Sequence, residues 1–295
     1  MKKIIRIGSR DSHLAIIQAE LIMAKIKKVH PELTLELVTM KTTGDKILDR
    51  RLEDIGGKGL FVKELDRALL DGRIDISVHS LKDVPMEISK ELPLVAFSKR
   101  EDPRDAVIIK AEHSEIRLDG IMGTSSRRRI IQLKQRYQKM KFQTIRGNLQ
   151  TRLRKLEEES FDQIVLAAAG LKRLRMQKKI FHIFSPEEII PAAGQGILAV
   201  QTRTGNKVSF FLDCIKDQKS EIAALAERSF VKTLQGGCSS PMAAYAQIAG
   251  TELKLLGLYA KEKEETYRKD SIVGSIECAE KIGEKLAEKI RKDLN

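Results

Sequence analysis

Tryptophan is absent from this 295-residue chain, and all aromatic residues together make up only 4% of it. Without stacking rings among its arginines, the chain is poorly suited to single-stranded nucleic acid, despite a net charge of +13. Cysteine is scarce as well. Cys214, Cys238 and Cys278 form an odd set without metal-ligand spacing, which argues against a disulfide framework and predicts no metal. Cys214 and Cys278 sit among apolar and small neighbours and read as packing residues. Long apolar runs are also missing. The stretch from Ile164 to Leu171 is far too short to cross a bilayer. Arg6 and Arg10 interrupt the residues that follow the opening lysines, so no export-type apolar region forms. These absences predict a cytoplasmic protein that engages neither membrane nor nucleic acid.

What is present suits two or three domains with real cores, at 42% hydrophobic and 32% charged residues. Short β-branched runs alternate with helical patterns through the first half. The spacing predicts strands at Ile4 to Ile7, Leu33 to Met40 and Ile74 to Val78, and helices at Leu14 to Val29 and Phe61 to Leu70. A charged, proline-containing hinge, Ser98 to Arg104, precedes a second set. That set comprises strands at Val107 to Ile109, Phe142 to Ile145 and Ile164 to Ala168, with helices at Arg127 to Tyr137 and Leu149 to Glu158. A Gly/Pro junction at Ile189 to Ile197 follows, then a strand at Leu198 to Thr202 placed to cross back to the first domain. A helix from Lys219 to Leu234, capped by Gly236 and Gly237, leads into a small α+β tail of three strands and a last helix. The class is α/β, with mixed, mostly parallel sheets in two lobes and an α+β C-terminal domain. The boundaries fall at 1–98 with 197–214, 99–196, and 215–295.

The arginines cluster at turns that open helices: Gly8-Ser9-Arg10-Asp11-Ser12, Gly123-Thr124-Ser125-Ser126-Arg127-Arg128-Arg129, and Arg146-Gly147-Asn148 with Arg152 one turn on. Ser, Thr or Asn can cap such helices while free N–H groups attract an anion, and arginine adds bidentate carboxylate recognition. One arginine near a helix start is ordinarily solvated surface. Three such turns point to a crevice for a polyanionic ligand. In Val78-His79-Ser80-Leu81-Lys82-Asp83-Val84-Pro85, Pro85 stops a strand and sets Lys82 and Asp83 at the crevice mouth. A turn aspartate is commonplace, but one carboxylate amid these cations suits stabilisation of a cationic intermediate or proton transfer. Gly56-Gly57-Lys58-Gly59 lacks the spacing of a nucleotide-binding P-loop, yet can bring Lys58 to a carboxylate. Cys238 stands in Gly236-Gly237-Cys238-Ser239-Ser240-Pro241, where nothing bulky covers the thiol.

In order, GSRDS, GGKGLFVKEL, VHSLKDVP, GTSSRRR, RGNLQTRL, AAAGLKRL, PAAGQG and GGCSSP closely resemble the porphobilinogen deaminase (hydroxymethylbilane synthase) family over essentially the whole chain. The resemblance implies two lobes like those of type II periplasmic binding proteins and a third domain. It implies head-to-tail joining of four porphobilinogen molecules, with loss of ammonia, into hydroxymethylbilane by a monomeric transferase of tetrapyrrole and heme biosynthesis. It also implies a dipyrromethane cofactor, joined to Cys238 by a thioether. Asp83 matches the catalytic aspartate. It would bond pyrrole N–H groups, stabilise the azafulvenium cation and assist proton transfer.

By the same resemblance, Ser80, Lys82, Asp83, Thr124, Ser126, Arg128, Arg129, Arg146, Gly147 and Asp45 surround the cofactor. Arg10, Ser12, Gln18, Lys58, Arg146, Arg152, Arg173 and Gln195 receive the substrate. Every pyrrole carries an acetate and a propionate, which gives the cations their purpose. His13, Asp54, Arg127 and Gln150 depart from the family pattern, and Asp54 puts one cationic contact in doubt. A solute-binding protein of the same lobes would need neither the third domain nor Cys238. A nucleic-acid binder would carry no dipyrrole.

Overall fold

The computed structural model describes residues 4–46, 59, 61–235, 241–261 and 266–294. Two compact units divide the chain, one of residues 1–101 with 196–221 and one of 102–195 with 222–295. The first unit opens with β1 (Ile4–Arg10), α1 (His13–Val29), β2 (Thr34–Met40), α2 (Thr43–Lys46), α3 (Lys63–Leu70), β3 (Ile76–Ser80) and β4 (Leu94–Phe97). The second contains β5 (Asp105–Ile109), β6 (Ile121–Gly123), α4 (Arg127–Arg136), β7 (Lys141–Gln143), α5 (Leu149–Glu158), β8 (Gln163–Ala167), α6 (Ala168–Arg173) and β9 (His182–Ile183). The chain then returns as β10 (Leu198–Thr202) to the first unit. The helix α7 (Gln218–Thr233) begins there and continues into the second, where β11 (Met242–Ala249), β12 (Glu252–Tyr259), β13 (Arg268–Ser275) and α8 (Ala279–Lys292) complete it.

The sheet of the first unit runs β2-β1-β3-β10-β4, and the sheet of the second runs β7-β6-β8-β5-β9. In each, three strands pair in parallel and two antiparallel pairings follow. Parallel pairing therefore makes up half of the pairings in each mixed sheet. The strand at Leu198–Thr202 does cross back, between β3 and β4. The sequence pattern did not reveal β4, β6 or β9. Each has four residues or fewer, too short for an alternation to register.

Alternation explains the cores. In the first unit, Ile5, Ile7, Ile76, Val78 and Val200 pack with Ala19, Ile22 and Ile26 of α1. In the second, Ala106, Ile108, Ile164 and Leu166 lie with Leu156 on one face of the sheet, while Val107, Met122 and Val165 lie with Leu133 on the other. The antiparallel sheet β11-β12-β13 contributes Ala243 and Leu258 to a further cluster with Ile131 and Ile190. Cys214 packs against the first core, but Cys278 is exposed in a short 3-10 turn (Ile276–Cys278), contrary to the packing role read from its neighbours. The predicted cap at Gly236 and Gly237 lies outside the described residues.

At the return to the first unit, Glu101 N donates to Gly196 O at 3.0 Å. Gly196 has φ +92°, and a Cβ there would stand 2.3 Å from Glu101 O. Both the left-handed backbone and the close approach require glycine. Gly196→Ala is expected to lower stability by about 1–3 kcal/mol, read from denaturant midpoints; an unchanged midpoint would contradict this account.

Beneath the end of β3, buried His79 places Nε2 2.7 Å from Ser77 Oγ and 3.1 Å from Gln201 Oε1. Burial pushes its pKa down to about 4, although the Gln201 hydrogen bond opposes the shift. An unfolded imidazole binds its proton near pH 6.5. The His79 contribution is therefore complete above that pH and is lost as pH falls towards about 4. Burial also raises Asp66 to about 6, which has the opposite sign over much of this range and mutes the wild-type slope. The stability difference between wild type and His79→Gln is expected to shrink by ~3 kcal/mol between pH 7.5 and 4. Denaturant titrations at several pH values measure it, and a pH-independent difference would refute the assignment.

Candidate active site

Because β1, β2 and β3 are parallel, their carboxyl ends share one edge of the first sheet. Arg10 ends β1, and Ser12 caps α1 by accepting from Ala15 N at 3.4 Å. Arg10 donates through Nη2 and, at 3.2 Å, through Nε to the carboxylate of Asp45, which follows β2. Its guanidinium also lies 4.2 Å from the centre of the Phe61 ring, a cation–π contact. Thr42 adds N–H and O–H donors to Asp45 at 3.2 and 2.6 Å. Burial by itself would raise the Asp45 carboxyl, but the hydrogen bonds from Arg10 and Thr42 outweigh it and hold it below its ordinary range. Ser80 ends β3 and exchanges hydrogen bonds with buried Gln18 at 3.0 and 3.2 Å.

One 3-10 turn, Leu81–Asp83, follows β3. Leu81 N donates to Ile197 O, Val84 N donates to Leu81 O, and both apolar side chains are buried. This anchoring fixes the two residues between them. Lys82 is half-buried and Asp83 is exposed. Among the described residues, no hydrogen bond or ion pair engages the Asp83 carboxylate.

The second unit repeats the arrangement, since β6, β7 and β8 are parallel. Thr124 follows β6 and is buried, its Oγ1 accepting from Ser126 N at 3.2 Å. Ser126 stands at the start of α4 without a side-chain cap bond, unlike the expectation for this turn. Asn148 does cap α5, accepting from Thr151 N at 2.9 Å. Gly147 has φ +114°, and a Cβ there would meet the Thr151 side chain at 2.6 Å, so only glycine fits. Its carbonyl accepts from Arg152 Nε at 2.9 Å. Arg146, Arg152 and Arg173 are all half-buried.

Arg128 and Arg129, read as ligand-binding arginines, meet a carboxylate of the chain itself. Arg128 Nη1 lies 2.8 Å and Arg129 Nη2 2.7 Å from Asp105, which is wholly buried. Gln195 Nε2, expected to receive substrate where the two arginines were expected to surround the cofactor, donates to Asp105 Oδ1 at 2.9 Å and to Pro103 O at 2.6 Å. Burial would raise the Asp105 carboxyl; the two guanidiniums more than reverse this and hold it far below the usual range. Sequence reading passed Asp105 over because it opens an apolar run and resembles no motif. Its position opposite Ala167, at the edge where β8 ends, becomes visible only with strand pairing.

Lys58 and Cys238 lie outside the described residues. Among the described residues, no cluster of three His, Cys, Asp or Glu could hold a metal ion, and no helix is long and apolar enough to cross a membrane.

The chain matches two family models. "Porphobilinogen deaminase, dipyromethane cofactor binding domain" spans residues 5–209, and "Porphobilinogen deaminase, C-terminal domain" spans 222–292. It is 53% identical over 293 residues to the porphobilinogen deaminase of Ruminiclostridium josui, covering 99% of this chain and 98% of that one. It is 44% identical over 293 residues to that of Chromobacterium violaceum, covering 98% and 94% respectively. Among solved structures, the periplasmic aliphatic sulphonate binding protein SsuA from Escherichia coli aligns at a TM-score of 0.40 and 11% identity, over 80% of this chain and 70% of that one. With both models matched in order and near-complete coverage of curated relatives, the chain belongs to the porphobilinogen deaminase family, the dipyrromethane-dependent hydroxymethylbilane synthases of tetrapyrrole biosynthesis.

Proposed function

We propose that this chain joins four porphobilinogen molecules head to tail into hydroxymethylbilane, on a dipyrromethane primer attached to Cys238, with Asp83 as the catalytic carboxylate. The observation that carries the reading is Asp83 itself. It is an exposed carboxylate without a partner among the described residues, set by two buried neighbours beside the half-buried Lys82. Each unit by itself offers groups that suit an acidic dipyrrole. Asp83 can accept from pyrrole N–H groups, and Lys82, Arg146, Arg152 and Arg173 are cations for acetate and propionate arms. The bound cofactor supplies the pyrrole end on which units are added. At each addition the aminomethyl C–N bond of the substrate breaks, ammonia leaves, a C–C bond forms and the receiving pyrrole carbon loses a proton. Asp83 holds its charge against the cationic carbon left by ammonia and can take that proton. The three domains proposed for this work are 1–98 with 197–214, 99–196, and 215–295, the last bearing Cys238. We read the protein as a cytoplasmic monomer, from its odd cysteine count and its family.

Two measurements test this proposal. Intact mass of the purified chain should show an adduct of two pyrrole units that vanishes in Cys238→Ser; an unmodified yet fully active wild type would remove Cys238 from the mechanism. For Asp83, preorganised charge of this kind contributes about 3–4 kcal/mol to transition-state stabilisation. Asp83→Asn, with its adduct verified by mass, should turn over porphobilinogen about a hundredfold or more slowly, and Asp83→Glu should retain measurable activity. Near-normal turnover in loaded Asp83→Asn would move the catalytic carboxylate elsewhere.

A further inference from the structure

Asp105 receives Arg128 Nη1, Arg129 Nη2 and Gln195 Nε2, all within 2.9 Å, although it is wholly buried. One carboxylate thus faces two guanidiniums: Arg128 Nη1 lies 2.8 Å and Arg129 Nη2 2.7 Å from Asp105. The buried cluster keeps one positive charge in excess, which is costly unless an anion answers it. Its donors are also incompletely used. Arg128 donates only through Nη1, to Asp105 and to Ile190 O at 2.8 Å, so its Nε and Nη2 have no acceptor among the described residues. Arg129 Nη1 reaches Val165 O at 3.0 Å, while its Nε is buried with no hydrogen-bond partner. A paired Nε and Nη2 edge is the geometry that takes a carboxylate through two parallel bonds.

We propose that Asp105 is a positioning residue: it fixes Arg128 and Arg129 and cancels one of their two charges, so that the pair receives a single carboxylate arm of an acidic pyrrole. The assignment rests on the function proposed above. Asp105 touches neither substrate nor cofactor; it acts through the arginines. Its place follows from topology. The strand β5 runs antiparallel to β8, so its first residue arrives where the parallel strands end, opposite Ala167 and within reach of the start of α4. Gln195 helps to hold the carboxylate by bonding both Asp105 and Pro103 O.

The test compares wild type, Asp105→Asn and Asp105→Glu, with cofactor loading verified by intact mass and assays run well below each melting temperature. Asp105→Asn is expected to lower the fraction of chain bearing the dipyrrole adduct at least threefold and, in the loaded fraction, to raise KM for porphobilinogen at least tenfold with kcat changed less than threefold. Asp105→Glu preserves the charge and folds without unpaired buried cations, but displaces the carboxylate by one methylene. It is expected to raise KM at least threefold. Wild-type adduct loading together with a wild-type KM in Asp105→Glu, or in folded Asp105→Asn even with a lowered melting temperature, would reduce Asp105 to a structural ion pair and overturn the proposal. Failure of the underlying function looks different, because the wild type itself would then lack the dipyrrole adduct and porphobilinogen turnover.

Discussion

One strand running against its neighbours organises each five-stranded sheet. In the first unit β10 lies beside β3 with Leu198 opposite Ser80, and in the second β5 lies beside β8 with Asp105 opposite Ala167. An antiparallel strand begins where its parallel neighbours end. The segments that pass between the units are therefore delivered to the carboxyl edges, where the helix-opening turns already lie. Ile197 O holds Leu81 there, and Pro103 O and Asp105 hold Gln195. The turn that carries Asp83 and the arginine pair are both fastened to chain that would otherwise be linker.

The charges at these edges are answered to different degrees. The Asp45–Arg10 pair remains accessible, with side chains 18% and 24% exposed, and is screened by solvent. Asp105 is wholly buried, and its contacts with Arg128 and Arg129 are not screened in this way. Asp83 has no partner in the described structure. An accessible pair can exchange its counter-ion, a buried one fixes geometry, and an unpartnered carboxylate is available to chemistry. These are three uses of the same functional group, distinguished by desolvation and by the number of donors that reach it.

Much of the fold was legible because apolar alternation and helical period were strong in the long elements. The helix predicted from Leu14 to Val29 occupies His13–Val29, and Leu149–Glu158 is helical as the pattern indicated. Weak signals failed where local order is set by neighbours. The strands β6 and β9, three and two residues long, are held by the five-residue strands β8 and β5 that supply their ladder. Ser126, in a turn with ample capping chemistry, makes no side-chain cap bond and leaves its N–H on Thr124.

The sequence by itself determined the two α/β lobes, the motif order that marks the family, and the candidates Asp83 and Cys238, since each depends on residue type and spacing along the chain. Only the tertiary structure decided which charges neutralise one another. Asp105 lies 23 and 24 residues from Arg128 and Arg129 and 90 from Gln195. Their meeting depends on strand pairing and burial, which no local pattern encodes. The same holds for Arg10 and Asp45, 35 residues apart and joined by the parallel register of β1 and β2. A charge-bearing residue is visible in a sequence, but its counter-ion is chosen by the fold, because Coulomb attraction matters at distances that only packing sets.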